Sequence, residues 1–160
     1  MKLTVGKGID NYISELERIS NATDDMIGKA VYAGADIIAD EIRRNIENLP
    51  SVDTAGTSAA KVTGLRTIQK KGLLDGLGIA KKQTDMGYVH VKVGFDGYNG
   101  LKTSQYPKGQ PNAMIARTFE SGNSFTKKMP FVAPAVRDKR EAAERKMADV
   151  IDTEVSKYIK

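Results

Sequence analysis

The stretch TDDMIGKAVYAGADIIADEIRRNIENLP, Thr23–Pro50, decides the fold. Met26, Ile27, Ala30, Val31, Ile37, Ile38, Ile42, Ile46 and Leu49 recur at helical spacing and form one apolar stripe. Lys29, Asp36, Asp40, Arg43, Arg44 and Glu47 fall largely on the opposite side. Thr23 is placed to cap the helix, and Asp24 and Asp25 suit the positive end of its dipole. Asp40 and Arg44 stand at i,i+4 spacing, where an ion pair adds a few tenths of a kcal/mol. Pro50 ends the helix, because proline drives the residue before it out of α geometry. A straight helix of this reach spans roughly 39 Å, at 1.5 Å per residue.

Upstream, Ile9, Tyr12, Ile13, Leu16 and Ile19 predict a separate helix capped by Asp10, and Ser20-Asn21-Ala22-Thr23 reads as a break. Downstream, residues 51–62 are small and polar and predict a mobile loop. Thr63–Lys71 predicts a short helix with Leu65 and Ile68 inward. Tyr88–Val93 alternates, which puts Val89, Val91 and Val93 on one face of a strand. Leu77–Lys82 is its weaker partner, joined through a turn at Thr84–Gly87 in a hairpin. Asp96-Gly97, Asn99-Gly100, Pro107 and Pro111 mark residues 96–111 as a second long loop, with Tyr98, Tyr106 and Pro107 as candidates for ordering on contact with a partner. Asn112 is placed to cap a helix over Ala113–Ser121 that turns Ile115 and Phe119 inward and ends at Gly122; a strand is the alternative for this segment. Pro134 suits the first position of a last helix, striped by Val136, Ala143, Met147, Val150, Ile151, Val155 and Tyr158, with Lys157 and Lys160 at its negative end.

The expected fold class is therefore α+β: a long amphipathic N-terminal helix and a C-terminal helix packed on a small antiparallel β-sheet. With 160 residues and no dividing linker, residues 1–160 read as one domain. Hydrophobic residues at 40% and charged residues at 28% give an ordinary globular balance, which argues against a disordered chain. Cysteine is absent, so disulfides, thiolate nucleophiles and Cys-based zinc sites are excluded. The first residues contain no apolar h-region, and no stretch approaches the roughly 20 apolar residues of a membrane span. A net charge of +5 and a pI near 9.3 favour an acidic partner, either nucleic acid or an acidic protein surface.

Catalytic, cofactor and metal sites find no support. His90 is the single histidine, and no nucleophile accompanies it. Asp36 and Asp40 share a helix face suited to a hard cation, but Arg43 and Arg44 stand beside them. Gly100-Leu101-Lys102-Thr103 and Gly76-Leu77-Gly78 lack the glycine spacing of phosphate-binding loops. Lys61, Arg66, Lys70, Lys71, Lys81 and Lys82 cluster mid-chain. Lys127 and Lys128 form a second basic group, and Arg137, Lys139 and Arg140 a third. Such groups give sequence-independent phosphate affinity, but few aromatics accompany the central one, which weakens a single-strand reading.

Two motifs carry a family resemblance. PNAMIARTFESG at 111–122, followed by MPFVAPAV at 129–136, resembles the signature of the "gene product ten"-like tail-completion or neck proteins of lambdoid siphophages and related prophages. The order of elements is similar too: long helix, Thr63-Gly64-Leu65-Arg66, hairpin, motif, terminal helix. The loop at 96–111 is longer than the family pattern. In physical terms, Phe119, Phe131, Pro130 and Pro134 can fix how the last helix leaves the sheet. Glu120 is expected to pair with Arg117 or with Lys127 or Lys128. Arg117, Phe119, Glu120, Gly122, Pro130, Phe131 and Pro134 are therefore the candidate motif or interface residues. Lys70, Lys71, Lys81, Lys82, Lys127 and Lys128 make a candidate basic patch.

The resemblance implies a non-enzymatic virion protein, assembled in the bacterial cytoplasm, that completes the tail or joins it to the head through contacts with tail or connector proteins, with a homo-oligomeric ring in the virion as a further expectation. It implies no cofactor and no membrane. A ring-forming tail terminator and a basic accessory protein with weak DNA contact are the alternatives.

Overall fold

The computed structural model describes residues 7–159, with side chains from Ile13 onward. The expectations placed on the side chains of Ile9, Asp10 and Tyr12, and on Lys160, lie outside the described residues. The elements run α1 (Lys7–Asn48), α2 (Thr67–Gly76), β1 (Leu77–Ile79), β2 (Gln83–Asp85), β3 (Tyr88–His90), β4 (Val93–Phe95), α3 (Asn112–Ser121) and α4 (Val132–Val155). The fold is α+β, as expected.

The predicted break at Ser20–Thr23 is absent. α1 is one continuous helix of 42 residues, about 63 Å long at 1.5 Å per residue. Thr23 is not a cap: its hydroxyl donates to the Ile19 carbonyl 2.8 Å away, one turn back, a bond that lets threonine sit within a helix. Asp10 likewise lies inside α1 and does not start it. The apolar stripe holds, with Met26, Ala30, Ile42 and Ile46 buried and Asp36, Asp40, Arg43, Arg44 and Glu47 exposed. Arg44 pairs with Glu41 at 3.2 Å, not with Asp40.

α4 runs antiparallel along α1. Asn45 donates to the Phe131 carbonyl at 3.0 Å, Lys139 meets Glu41 at 3.4 Å, and Lys29 meets Glu154 at 2.8 Å. Ala135 and Ala143 of α4 are buried, and the Ala143 carbonyl would lie 3.4 Å from a Cβ on Gly34. A Cβ on Gly34 would sit 2.7 Å from Met147 Cγ and Sδ. Small residues thus set how closely the helices approach. Ala135, in the core with Phe131, takes the inward position expected of Val136, which stays 47% exposed. Pro134 is the third helical residue, not the first. It still falls within the turn whose N–H groups have no intrahelical acceptor.

The Glu154 carboxyl is held below its ordinary range by a hydrogen bond from Lys157 and, next, by one from Lys29. A lowered folded value means that its stabilisation is present above the unfolded value and disappears as pH falls through the folded one. Hydrogen exchange should therefore show the last turns of α4 losing protection on acidification below the usual carboxylate range, before the core opens. In Glu154→Gln that pH step should vanish.

The core gathers Ile42, Ile46, Leu65, Leu73, Leu77, Ile115, Ala116, Phe119, Phe131 and Ala135. α2 begins four residues later than predicted. Backbone bonds from Val52 N–H to the Leu65 carbonyl (2.8 Å) and from Leu65 N–H to the Pro50 carbonyl (2.9 Å) hold residue 65 extended, and the Arg66 N–H then donates to Gln69 Oε1 at 3.2 Å. Leu65 is buried as expected, but the shift turns Gln69, Gly72 and Leu73 inward and leaves Ile68 40% exposed.

The hairpin forms as two short ladders. β2 pairs with β3 around Met86-Gly87, both at positive φ (49° and 83°). That is the hairpin-turn geometry glycine suits best. Thr84 and Asp85, expected in the turn, are therefore strand residues, and Gln83–Asp85 takes the place beside Tyr88–His90 expected of Leu77–Lys82. β1 pairs with β4. Between Ile79↔Val93 and Gln83↔His90, three residues face two, so the register slips at a β-bulge. Tyr32 of α1 satisfies the groups freed there: its hydroxyl accepts from Lys82 N–H at 2.7 Å and donates to the Ala80 carbonyl at 3.3 Å.

Candidate protein-docking surface

The Glu120 motif has a defined intramolecular geometry. α3 turns Ile115 and Phe119 into the core. Asn112 does not cap it: Pro111 holds that position, and Asn112 Nδ2 donates to the Asp96 carbonyl at 2.8 Å. Gly122 closes the helix at φ +70°, where a Cβ would come within 2.9 Å of the Lys128 nitrogen. Glu120 then reaches across the turn. Its Oε1 accepts from the N–H groups of Phe131 (2.5 Å) and Val132 (2.6 Å), and Oε2 from Ala133 (3.4 Å). A carboxylate is thereby placed on the positive end of α4, where orphan donors and dipole both favour it. This replaces the expected pairing with Arg117 or the 127–128 turn. Phe119 and Phe131 are buried and Pro134 half-buried, while Arg117 and Pro130 are exposed.

Both long loops are tied at their ends. Val62 bridges Thr126, with Val62 N–H donating to the Phe125 carbonyl and Lys127 N–H to the Val62 carbonyl, each at 2.9 Å. Tyr98 bridges Pro111, and the Asn99 N–H donates to the Gln110 carbonyl at 2.9 Å. Gly109, at φ +106°, passes so close to the Asn99 carbonyl that a Cβ there would lie 1.9 Å from its oxygen.

Between the loops, against α3, lies a groove of about 490 Å³. Val62 lines it from the first loop, Leu101 and Tyr106 from the second, Met114 and Phe119 from α3, and Phe125 from the basic turn. Arg66 is the charged residue in the lining. Of the three loop residues singled out in the sequence, Tyr106 enters the groove; Tyr98, 65% exposed, and Pro107 do not line it. Sequence reading missed Phe125, which is 55% exposed in a turn-rich segment. An aromatic with no helical or strand periodicity around it was the available signal.

The basic residues do not form one patch. Lys70 Nζ donates to the carbonyls of Glu47 (2.7 Å) and Leu49 (2.9 Å), capping the C-terminal end of α1. Lys82 Nζ donates to the Asp24 carbonyl at 3.2 Å, in the middle of that helix. Lys71, Lys81, Lys127 and Lys128 are exposed. A broader asymmetry replaces the patch. Residues 49–131 carry 12 Lys or Arg against 5 Asp or Glu, whereas α1 and α4 together carry 10 against 15.

His90 Nε2 lies 3.6 Å from Asp85 Oδ2, too far for a good hydrogen bond. Among the described residues no group of three or more His, Asp or Glu is gathered as a metal site. No described helix is long and apolar enough to cross a membrane.

Comparison with curated proteins and with solved structures returns no match. A family model does match, over residues 10–98, and its description reads "Bacteriophage HK97-gp10, putative tail-component". The match spans α1, α2 and the hairpin and stops at the start of the second loop, so the 111–136 motifs lie outside it. Covering more than half of the chain, it shows that this protein belongs to the HK97 gp10-like family of bacteriophage tail components.

Proposed function

We propose that this protein is a non-enzymatic virion subunit that completes the tail or joins it to the head, through contacts with other tail or connector proteins. The observation that supports the reading is the groove between the two loops: an amphiphilic, basic-rimmed recess on a rigidly anchored frame, in a chain of a phage tail-component family. Specificity in such a contact comes from shape and charge at the groove, with an exposed aromatic as anchor. Phe125 is that anchor, and Tyr98 and Pro107 extend the surface beyond it.

In vitro complementation tests the reading. Heads and tails from a lysate lacking this subunit are mixed with the purified protein, and plaque-forming particles are counted. Wild-type protein restores infectivity. Phe125→Asp, exposed and so harmless to folding, gives at least about tenfold fewer particles, the loss expected on removing an interface anchor. Equal rescue by both proteins would exclude the groove as the contact. Failure of the wild-type protein to rescue would count against the joining role.

A further inference from the structure

α1 does not end where α4 does. Beyond the contact of Arg18 with the Tyr158 ring (5.6 Å to its centroid), α1 continues, and Ile13 and Leu16 stand 46% and 47% exposed. Glu15 and Glu17 lie among them. This is an amphipathic helix end of the kind that fills grooves through anchors at i and i+3.

The groove between the loops has the complementary character. Val62, Leu101, Met114 and Phe125 supply apolar walls, Arg66 supplies positive charge, and no acidic residue lines it. Lys61, Lys102 and Lys127, all exposed, flank lining residues in sequence. At about 490 Å³ the space suits two aliphatic side chains.

A molecule cannot fill its own groove. Leu16 and the C-terminal end of α1 at Asn48 are separated by about 48 Å of helix at 1.5 Å per residue. The groove sits at that far end, where the first loop leaves α1 at Pro50. The two features therefore face opposite ends of the protein.

We infer that copies of this protein associate head to tail, the N-terminal end of α1 of one copy, with Ile13 and Leu16 as anchors, docking in the loop groove of the next. The charge asymmetry has the matching sense: basic around the groove, acidic along the helices. Such a contact is heterologous, so it propagates into a ring or a filament according to the rotation it imposes. The inference deepens the reading of the groove as a protein contact and gives it one occupant, a second copy; its tests use the purified protein alone, so they can fail while the virion role stands.

The chain has no cysteine, so introduced thiols report contacts cleanly. Glu17→Cys and Ser124→Cys proteins, altered beside the anchors and not at them, are prepared separately, mixed and mildly oxidised. The contact predicts a disulfide-linked heterodimer at least about tenfold above a control mixture of Met86→Cys with Ser124→Cys, because docking raises the local thiol concentration. Ile13→Asp/Leu16→Asp should weaken self-association in sedimentation at least about a hundredfold, for two lost aliphatic anchors. Both residues are half-exposed, and an unchanged circular dichroism spectrum confirms that the variant folds. No enrichment over the control at the highest soluble concentration, or oligomers that persist in the folded double variant, would overturn the inference.

Discussion

Truncating Phe131 to alanine lowers the unfolding free energy by about 3–5 kcal/mol, the range for large aromatic truncations in a core. The ring is fully buried and meets Phe95 edge-on, with centroids 5.9 Å apart and planes at 90°. It stands at the junction of three elements: the residue is the N-cap of α4, its carbonyl accepts from Asn45 of α1, and its ring packs against β4. Neighbours fixed from three directions collapse poorly into a cavity, which puts the cost toward the upper end. In a domain of this size the midpoint of thermal unfolding should fall by roughly 2–4 °C per kcal/mol. Phe131→Leu keeps most of the volume and should cost clearly less. A loss under about 1 kcal/mol for the alanine variant, in urea or thermal unfolding, would mean that the ring is not where the core closes.

Replacing Glu120 has the second largest effect expected. Its carboxylate accepts from three consecutive N–H groups at the start of α4. Charge-assisted bonds to partly buried donors are the strong ones. Alanine leaves those donors without this acceptor and should cost about 2–3 kcal/mol. Glutamine keeps one acceptor oxygen and loses the charge, so about half that loss is expected. The unfolding midpoint in urea measures both. Equal costs for the two variants would show that the charge on the helix dipole contributes nothing. No cost for alanine would show that α4 is held by its seam with α1 alone.

Much of the fold is legible in the sequence because period and burial agree. The stripe from Met26 to Leu49 marks α1, and the alternation from Tyr88 to Val93 marks the hairpin arm, although that arm is broken at Val91-Lys92 into β3 and β4. The errors arise where a local signal meets a longer-range bond. Ser20–Thr23 looks like a break in propensity, but Thr23 bonds back one turn and the helix runs on. Thr63–Arg66 looks helical, but residue 65 is held extended by Pro50 and Val52, so α2 starts late. The slip between the two ladders depends on Tyr32, some fifty residues away. Val136 looks like a core residue, but α4 turns Ala135 into the core with Phe131 and leaves Val136 47% exposed.

The candidate site is less legible for a related reason. The run Phe119-Glu120 to Pro130-Phe131 stands out in sequence, and it carries a tightly determined cap and core junction. The groove gathers its lining from the two loops, the start of α2, α3 and the basic turn, and only Tyr106 and Phe119 of that lining stand among the candidate site residues read from sequence. The family, too, is reached by partly different residues: the resemblance rests chiefly on the motifs at 111–136, with the order of elements in support, whereas the match lies on 10–98 and takes in the long helix, Thr63–Arg66 and the hairpin.

Electron microscopy of a phage lysate in which this gene alone carries a stop codon tests the central claim most directly. The account predicts filled heads lying beside separate tails, with each part otherwise normal. Overlong tails would move the role to tail-length termination. Intact infectious particles in normal number would contradict the account of its function altogether.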